Sequence, residues 1–253
     1  MSSPQPLRLN RLLAALANED YAALVSSLEP VTLNPGATLI EAHSTIEHVY
    51  FPESGIASMI ANTHDGRIEI GMIGREGLVG LPAVLGTDRT PFSYMVQGTG
   101  KAHRIATLAL RAVIAERPAI LRALCLYAVA MSVQTAQTTY AYASFDIKAR
   151  LARRILMTQD RADGETLLLT HEFLSTMLGS RRPSVTVAMQ MLEGVGAIRA
   201  KRGRITVLDR DKLRDLAGDS YQVAEDEYER LMAEVQPGLT PTPSGNQVSD
   251  FDY

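Results

Sequence analysis

Cysteine is almost absent from this 253-residue chain: Cys125 is the single one. That excludes a disulfide framework within the chain, and with it cysteine-ligated zinc or iron–sulfur sites, and it suits a reducing compartment. Apolar runs of about 18 residues are also missing, as is a cleavable N-terminal signal pattern. The expectation is a soluble cytoplasmic protein with no membrane partner. The five histidines (His43, His48, His64, His103 and His171) show no metal-ligand spacing. They read as surface or core side chains, and no metal is expected. No G-x-S-x-G, P-loop or Rossmann glycine pattern occurs, and Glu53-Ser54-Gly55 lacks a readable His–acid partner, so it reads as a turn. The chain is not expected to be an enzyme. Cys125 adjoins an apolar helical seam and reads as a buried packing residue rather than a redox thiol.

Charge of one sign is scarce overall, with 25 Lys/Arg against 28 Asp/Glu, but it is unevenly placed. Residues 148–214 hold 14 basic and 7 acidic side chains, a balance of +7, against −10 for the rest. Only that segment has the electrostatics to neutralise phosphates.

The same segment carries the most informative pattern. Thr170 is a good N-cap with Glu172 in the first turn behind it. Phe173, Leu174, Met177 and Leu178 recur at helical spacing. Gly179 ends that helix, Ser180 can cap the next, and Pro183 falls in its first turn, where its missing N–H is tolerated. Val185, Ala188, Met189 and Leu192 form a second apolar stripe. Gly194 and Gly196 stop it. Arg182, Pro183, Thr186, Val187 and Gln190 point the other way. An arginine can pair with guanine and a glutamine with adenine, while Val187 suits a thymine methyl better than water. Lys201, Arg202, Gly203 and Arg204, set between short β-prone runs, read as a wing tip on phosphate. This is a winged helix-turn-helix, whose second helix enters the major groove of double-stranded DNA. The DNA-binding set is Thr170, Arg181, Arg182, Ser184, Thr186, Val187, Gln190, Lys201, Arg202 and Arg204.

The fold class is α+β. Short helices over 9–28 end at Pro30. Short β-prone runs then continue to about residue 107, punctuated by glycine turns, and predict an antiparallel β-barrel or jelly roll. Asp65-Gly66 is a strong hairpin signal. Pro118 opens a long helix with a heptad seam at Leu121, Leu124, Ala128, Met131, Thr135, Thr138, Tyr142 and Phe145, which predicts a homodimer. The expected parts are a barrel with its helices (1–117), a dimerisation helix (118–145), the winged helix-turn-helix (146–217) and an acidic, Pro/Ser/Thr-rich, partly disordered tail (218–253).

This order resembles the cyclic-AMP receptor protein/FNR (Crp/Fnr) superfamily of bacterial transcription regulators. The resemblance rests on Glu47–Gly55, on Gly71-Met72-Ile73-Gly74-Arg75-Glu76-Gly77 and on the reading motif. It implies a cyclic-nucleotide-binding-like fold, a homodimer, a palindromic operator and contact with RNA polymerase. Arg182 looks like the arginine that contacts guanine. Pro183 and Val187 depart from the family's acidic and basic reading positions, which implies an operator other than TGTGA. For the effector, the turn carries Gly74 and Glu76, with the acid one position late. The phosphate pair is Arg89-Thr90, or Phe92-Ser93 when counted back from the next strand, and Thr135 falls where a threonine lies near adenine. The family implies a cyclic-nucleotide-like effector fold, but these departures leave no clear cyclic-AMP site, so an unknown or absent effector is expected ahead of a cyclic nucleotide, and no cofactor is called for. The competing reading is an effector-binding or protein-interaction module whose helix-turn-helix reads no DNA.

Overall fold

The computed structural model describes residues 8–235, apart from Asp65, Asp163 and Glu165. Two short helices, α1 (Arg11–Ala15) and α2 (Asn18–Val25), open it. Asn10 starts the first: its side-chain oxygen accepts from Leu13 N at 3.0 Å, while its amide donates to the Pro52 and Gly77 carbonyls at 2.8 Å each. Pro30 does not end these helices. It lies inside β1 (Glu29–Leu33), at an edge of its sheet, where a missing donor is tolerated.

Seven strands follow: β1, β2 (Thr38–Ile40), β3 (His48–Pro52), β4 (Ile56–Thr63), β5 (Gly66–Ile73), β6 (Ser93–Gly98) and β7 (Gly100–Ala106). They form two open antiparallel sheets, ordered β1-β7-β3 and β2-β6-β4-β5. The arrangement is jelly-roll-like. Val49, Phe51 and Ile105 of one sheet share a core with Ala57, Ile73 and Tyr94 of the other. β4 and β5 make the expected hairpin, pairing Thr63 with Gly66; Asp65 itself lies outside the described residues. The short α3 (Leu81–Val84) sits between β5 and β6, and α4 (Thr107–Glu116) follows β7.

The long helix α5 (Pro118–Ser144) begins one residue after Arg117 with Pro at N1, as expected. By length and composition it could cross a membrane. Here one of its faces is sunk into the jelly roll: Ile120, Ala123, Leu124, Tyr127, Ala130 and Met131 belong to that core. Gly77 is what lets it approach, since a Cβ there would sit 2.1 Å from the Tyr127 ring.

The second unit runs α6 (Ile147–Arg161), β8 (Thr166–Leu168), α7 (His171–Met177), α8 (Arg182–Gly194), β9 (Ile198–Lys201), β10 (Arg204–Val207) and α9 (Arg210–Ala217). Its strands form a small sheet, β8-β10-β9. Leu151, Ile155, Leu174, Val185, Leu192, Ile205 and Leu213 make its core, and Ile56 and Met72 of the jelly roll join it.

The expected tail from 218 is not all tail. A 3-10 turn (Gly218–Ser220) leads into α10 (Val223–Ala233). Tyr228, Leu231 and Met232 of α10 are buried in the jelly-roll core, and Tyr228 donates to the Glu76 carbonyl at 2.8 Å. An acidic composition concealed an amphipathic helix. The Pro/Ser/Thr-rich stretch, 236–253, lies outside the described residues.

Candidate nucleic-acid interface

Thr170 caps α7 as its residue type predicts, accepting from Phe173 N at 3.1 Å. Gly179 takes φ +54° and turns the chain toward α8. Ser180 is not the cap of α8. That place falls to Arg181, with no side-chain bond, while the Ser180 hydroxyl donates to Leu178 O at 3.1 Å and accepts from Arg150 at 3.2 Å. One residue of turn separates the two roles.

In α8, Val185, Ala188, Met189 and Leu192 are buried. Arg181, Arg182, Pro183, Ser184, Val187 and Gln190 are exposed. Thr186 is half-buried, and its hydroxyl is occupied. It donates to the Arg182 carbonyl at 3.1 Å and lies 3.0 Å from His171 Nδ1. A hydroxyl has one proton, and these two partners take it up between them whichever tautomer His171 adopts. Thr186 therefore offers no free hydroxyl proton to a base. From sequence His171 reads only as a surface or core side chain, because nothing local announces a bond from the start of α7 to the middle of α8.

The wing is a two-residue hairpin turn. Arg202 and Gly203 have φ of +47° and +76°, the double left-handed turn that matches strand twist, and Lys201 pairs with Arg204. Lys201, Arg202 and Arg204 are exposed. Leu169 N donates to Gly203 O at 3.0 Å, and a Cβ on Gly203 would lie 3.3 Å from the Thr170 methyl. The wing tip and the start of α7 are thus one surface. Arg199, also exposed on β9, adds a cation that was not assigned from sequence.

Elsewhere most arginines are spent on carboxylates: Arg11–Glu229, Arg104–Glu29, Arg161–Glu76, Arg210–Asp160 and Arg230–Glu227. Among the described residues no ion pair involves Arg181, Arg182, Arg199, Lys201, Arg202 or Arg204. Six unneutralised cations around an exposed helix make an anion-binding surface.

The expected effector residues are not gathered into a cage. Glu76 is buried, with its carboxylate accepting from Gly74 N at 3.1 Å and from Arg161 at 2.7 Å. Burial alone would lower the Arg161 guanidinium, yet the charges of Glu76 and Glu225 outweigh it and raise it above its ordinary range. Arg89 is exposed beside Asp88. Thr90 is buried and its oxygens are bonded to the amides of His43 and Phe92. Ser93 is paired in β6 with Ile60, and the Thr135 hydroxyl is turned back onto Met131 O at 2.9 Å. A cleft of about 630 Å³ does open near the turn, between α5, α6, α9 and α10, but of these six residues only Glu76 lines it. Of its lining cations, Arg11, Arg161, Arg210 and Arg214 are each paired with a carboxylate, while Arg8 donates to Leu16 O and Asn18 and Arg75 to Ala162 O. The six expected effector residues therefore do not form a cyclic-phosphate site.

Of the expected heptad seam, Leu121, Ala128, Thr135, Tyr142 and Phe145 are half-buried. Leu124, Met131 and Thr138 are 1%, 7% and 8% exposed, buried within their own chain. The face of α5 left open lies one residue on: Cys125, Val129, Ser132, Ala136, Thr139 and Ala143, all exposed, at spacings of four and three. Cys125 is accordingly exposed rather than buried.

Comparison with known proteins agrees with this architecture. The family description "Crp-like helix-turn-helix domain" matches residues 149–216, and "Cyclic nucleotide-binding domain" matches 30–117. The HTH-type transcriptional regulator Cmr of Mycobacterium tuberculosis (strain CDC 1551 / Oshkosh) is 27% identical over 209 residues, covering 79% of this chain and 81% of its own. Among solved structures, FixK2 from Bradyrhizobium japonicum superposes with a TM-score of 0.66 at 14% identity, covering 76% of this chain and 98% of that one. A transcriptional regulator of the CRP/FNR family from Thermus thermophilus, TTHA1359, gives 0.62 at 20% identity, covering 75% and 98%. With both matched domains in this order around one long helix, the chain belongs to the Crp/Fnr family of DNA-binding transcription regulators.

Proposed function

We propose that two copies pair through the open stripe of α5 and present two α8 helices to successive major grooves of a palindromic operator. Half-sites would then lie one helical turn apart, about 34–36 Å. Arg182 and Gln190 read bases. Arg181, Arg199, Lys201, Arg202 and Arg204 hold phosphates, and Thr170 and Ser184 flank them. Regulation works by binding, in the cytoplasm, with RNA polymerase as the further partner and without catalysis. Carrying this reading is the cluster of unpaired cations around an exposed α8, in a chain whose other arginines are largely paired.

Selection of bound duplexes from a random pool tests it, run with and without cyclic AMP and cyclic GMP. The expected result is a palindromic consensus that neither nucleotide shifts. Affinity should fall steeply with salt, with a log–log slope of about −9 if Arg181, Arg199, Lys201, Arg202 and Arg204 of each copy neutralise one phosphate apiece. Weak, sequence-blind binding would favour a helix-turn-helix that is only structural.

A further inference from the structure

Two rows of side chains run along the exposed side of α8. One is Arg182, Thr186 and Gln190; the other is Pro183, Val187 and Met191, each at four-residue spacing on a shared face. The polar row has a gap at its centre, because the Thr186 hydroxyl proton is given to the Arg182 carbonyl and its oxygen faces His171. Beside that gap Val187 is 49% exposed, and Met191 and Val195 continue the ridge at 52% and 51%. None of these side chains is needed for the core, which Val185, Ala188, Met189 and Leu192 supply from the opposite face. The unpaired Arg181 and Arg182 stand at the N-terminal end of the ridge, so its occupant must tolerate guanidinium groups beside it while offering an apolar contact. In the major groove the one apolar group that meets this description is the thymine 5-methyl.

We infer that Val187, with Pro183 one turn before it, is a specificity-determining residue that reads a thymine 5-methyl group. The inference rests on the major-groove reading proposed above. In each half-site the pair contacted by Arg182 would be followed by a position where T is preferred for its methyl rather than for any hydrogen bond.

The test uses the full-length protein and its selected operator. Each thymine is replaced in turn by deoxyuridine, which removes the methyl and nothing else. At one position per half-site affinity should drop about fourfold, the worth of one buried methyl group. Changing that T·A pair to C·G and methylating the cytosine at C5 should restore about the same factor relative to unmethylated cytosine. Both effects should vanish in Val187→Ala, which leaves the core side chains of α8 in place. Sequence-specific binding with no deoxyuridine effect at any position would overturn the inference while leaving the reader intact. So would a deoxyuridine effect that survives Val187→Ala, or a cytosine whose methylation changes nothing. Absence of any sequence-specific binding would overturn both.

Discussion

Thr170 and Arg182 sit on the same surface but contribute differently. The Thr170 hydroxyl satisfies one of the orphan N–H groups of α7, so Thr170→Ala should cost about 1 kcal/mol of stability, read by urea unfolding of the full chain. Arg182 bonds nothing with its guanidinium and should matter little to the fold. Arg182→Ala should instead cost about 1–3 kcal/mol of binding and relax preference at one base pair, read by titrating operator variants. Uniform loss across all sequences would make it a phosphate contact. Residue types told these two apart in the sequence. Thr186 was assigned to the reading set with them, and only its bonds to His171 and Arg182 O remove its hydroxyl proton from the groove.

Helix α5 shows what an element can and cannot reveal about itself. Its heptad period was plain, and so was its start at Pro118. A 27-residue helix with small and apolar residues nearly all round has two candidate seams, offset by one residue. Which one stays open depends on what packs against the other. The jelly roll takes Leu124 and Met131, leaving Val129, Ser132 and Ala136 exposed, the stripe proposed to meet a second copy. Light scattering checks this. Val129→Lys with Ala136→Lys should halve the mass in solution with the fold kept, because both side chains are exposed. Leu124→Lys should instead destabilise the monomer by several kcal/mol, since it buries an unpaired charge.

On the scale of the whole molecule, the two domains are fastened along α6. Arg161 pairs with Glu76, Arg154 meets Glu69 and Gln97, and Tyr142 donates to Met177 O at 2.6 Å. Burial, and after it the nearby Arg161 charge, lower the Arg154 guanidinium below its ordinary range. Breaking such a pair on one side leaves a buried charge without its partner. Arg161→Met should therefore cost roughly 3–5 kcal/mol, and adding Glu76→Gln should recover much of it. Denaturant titration of the two variants gives the coupling. If Arg161→Met alone proves neutral, the pair does not fasten the domains.

Much of this protein was determined by local chemistry. Caps, apolar stripes, glycine turns and the charge split fixed the element order, the reading unit and the basic wing, because each depends on residues within a turn or two of one another. The tertiary structure decided the rest. It chose the open face of α5, locked Glu76 to an arginine 85 residues away, and drew α10 out of what looked like tail. These outcomes rest on which distant surfaces meet. A periodic stripe states that a face will be buried; it does not say against what, and a carboxylate does not say whether a ligand or its own chain will neutralise it.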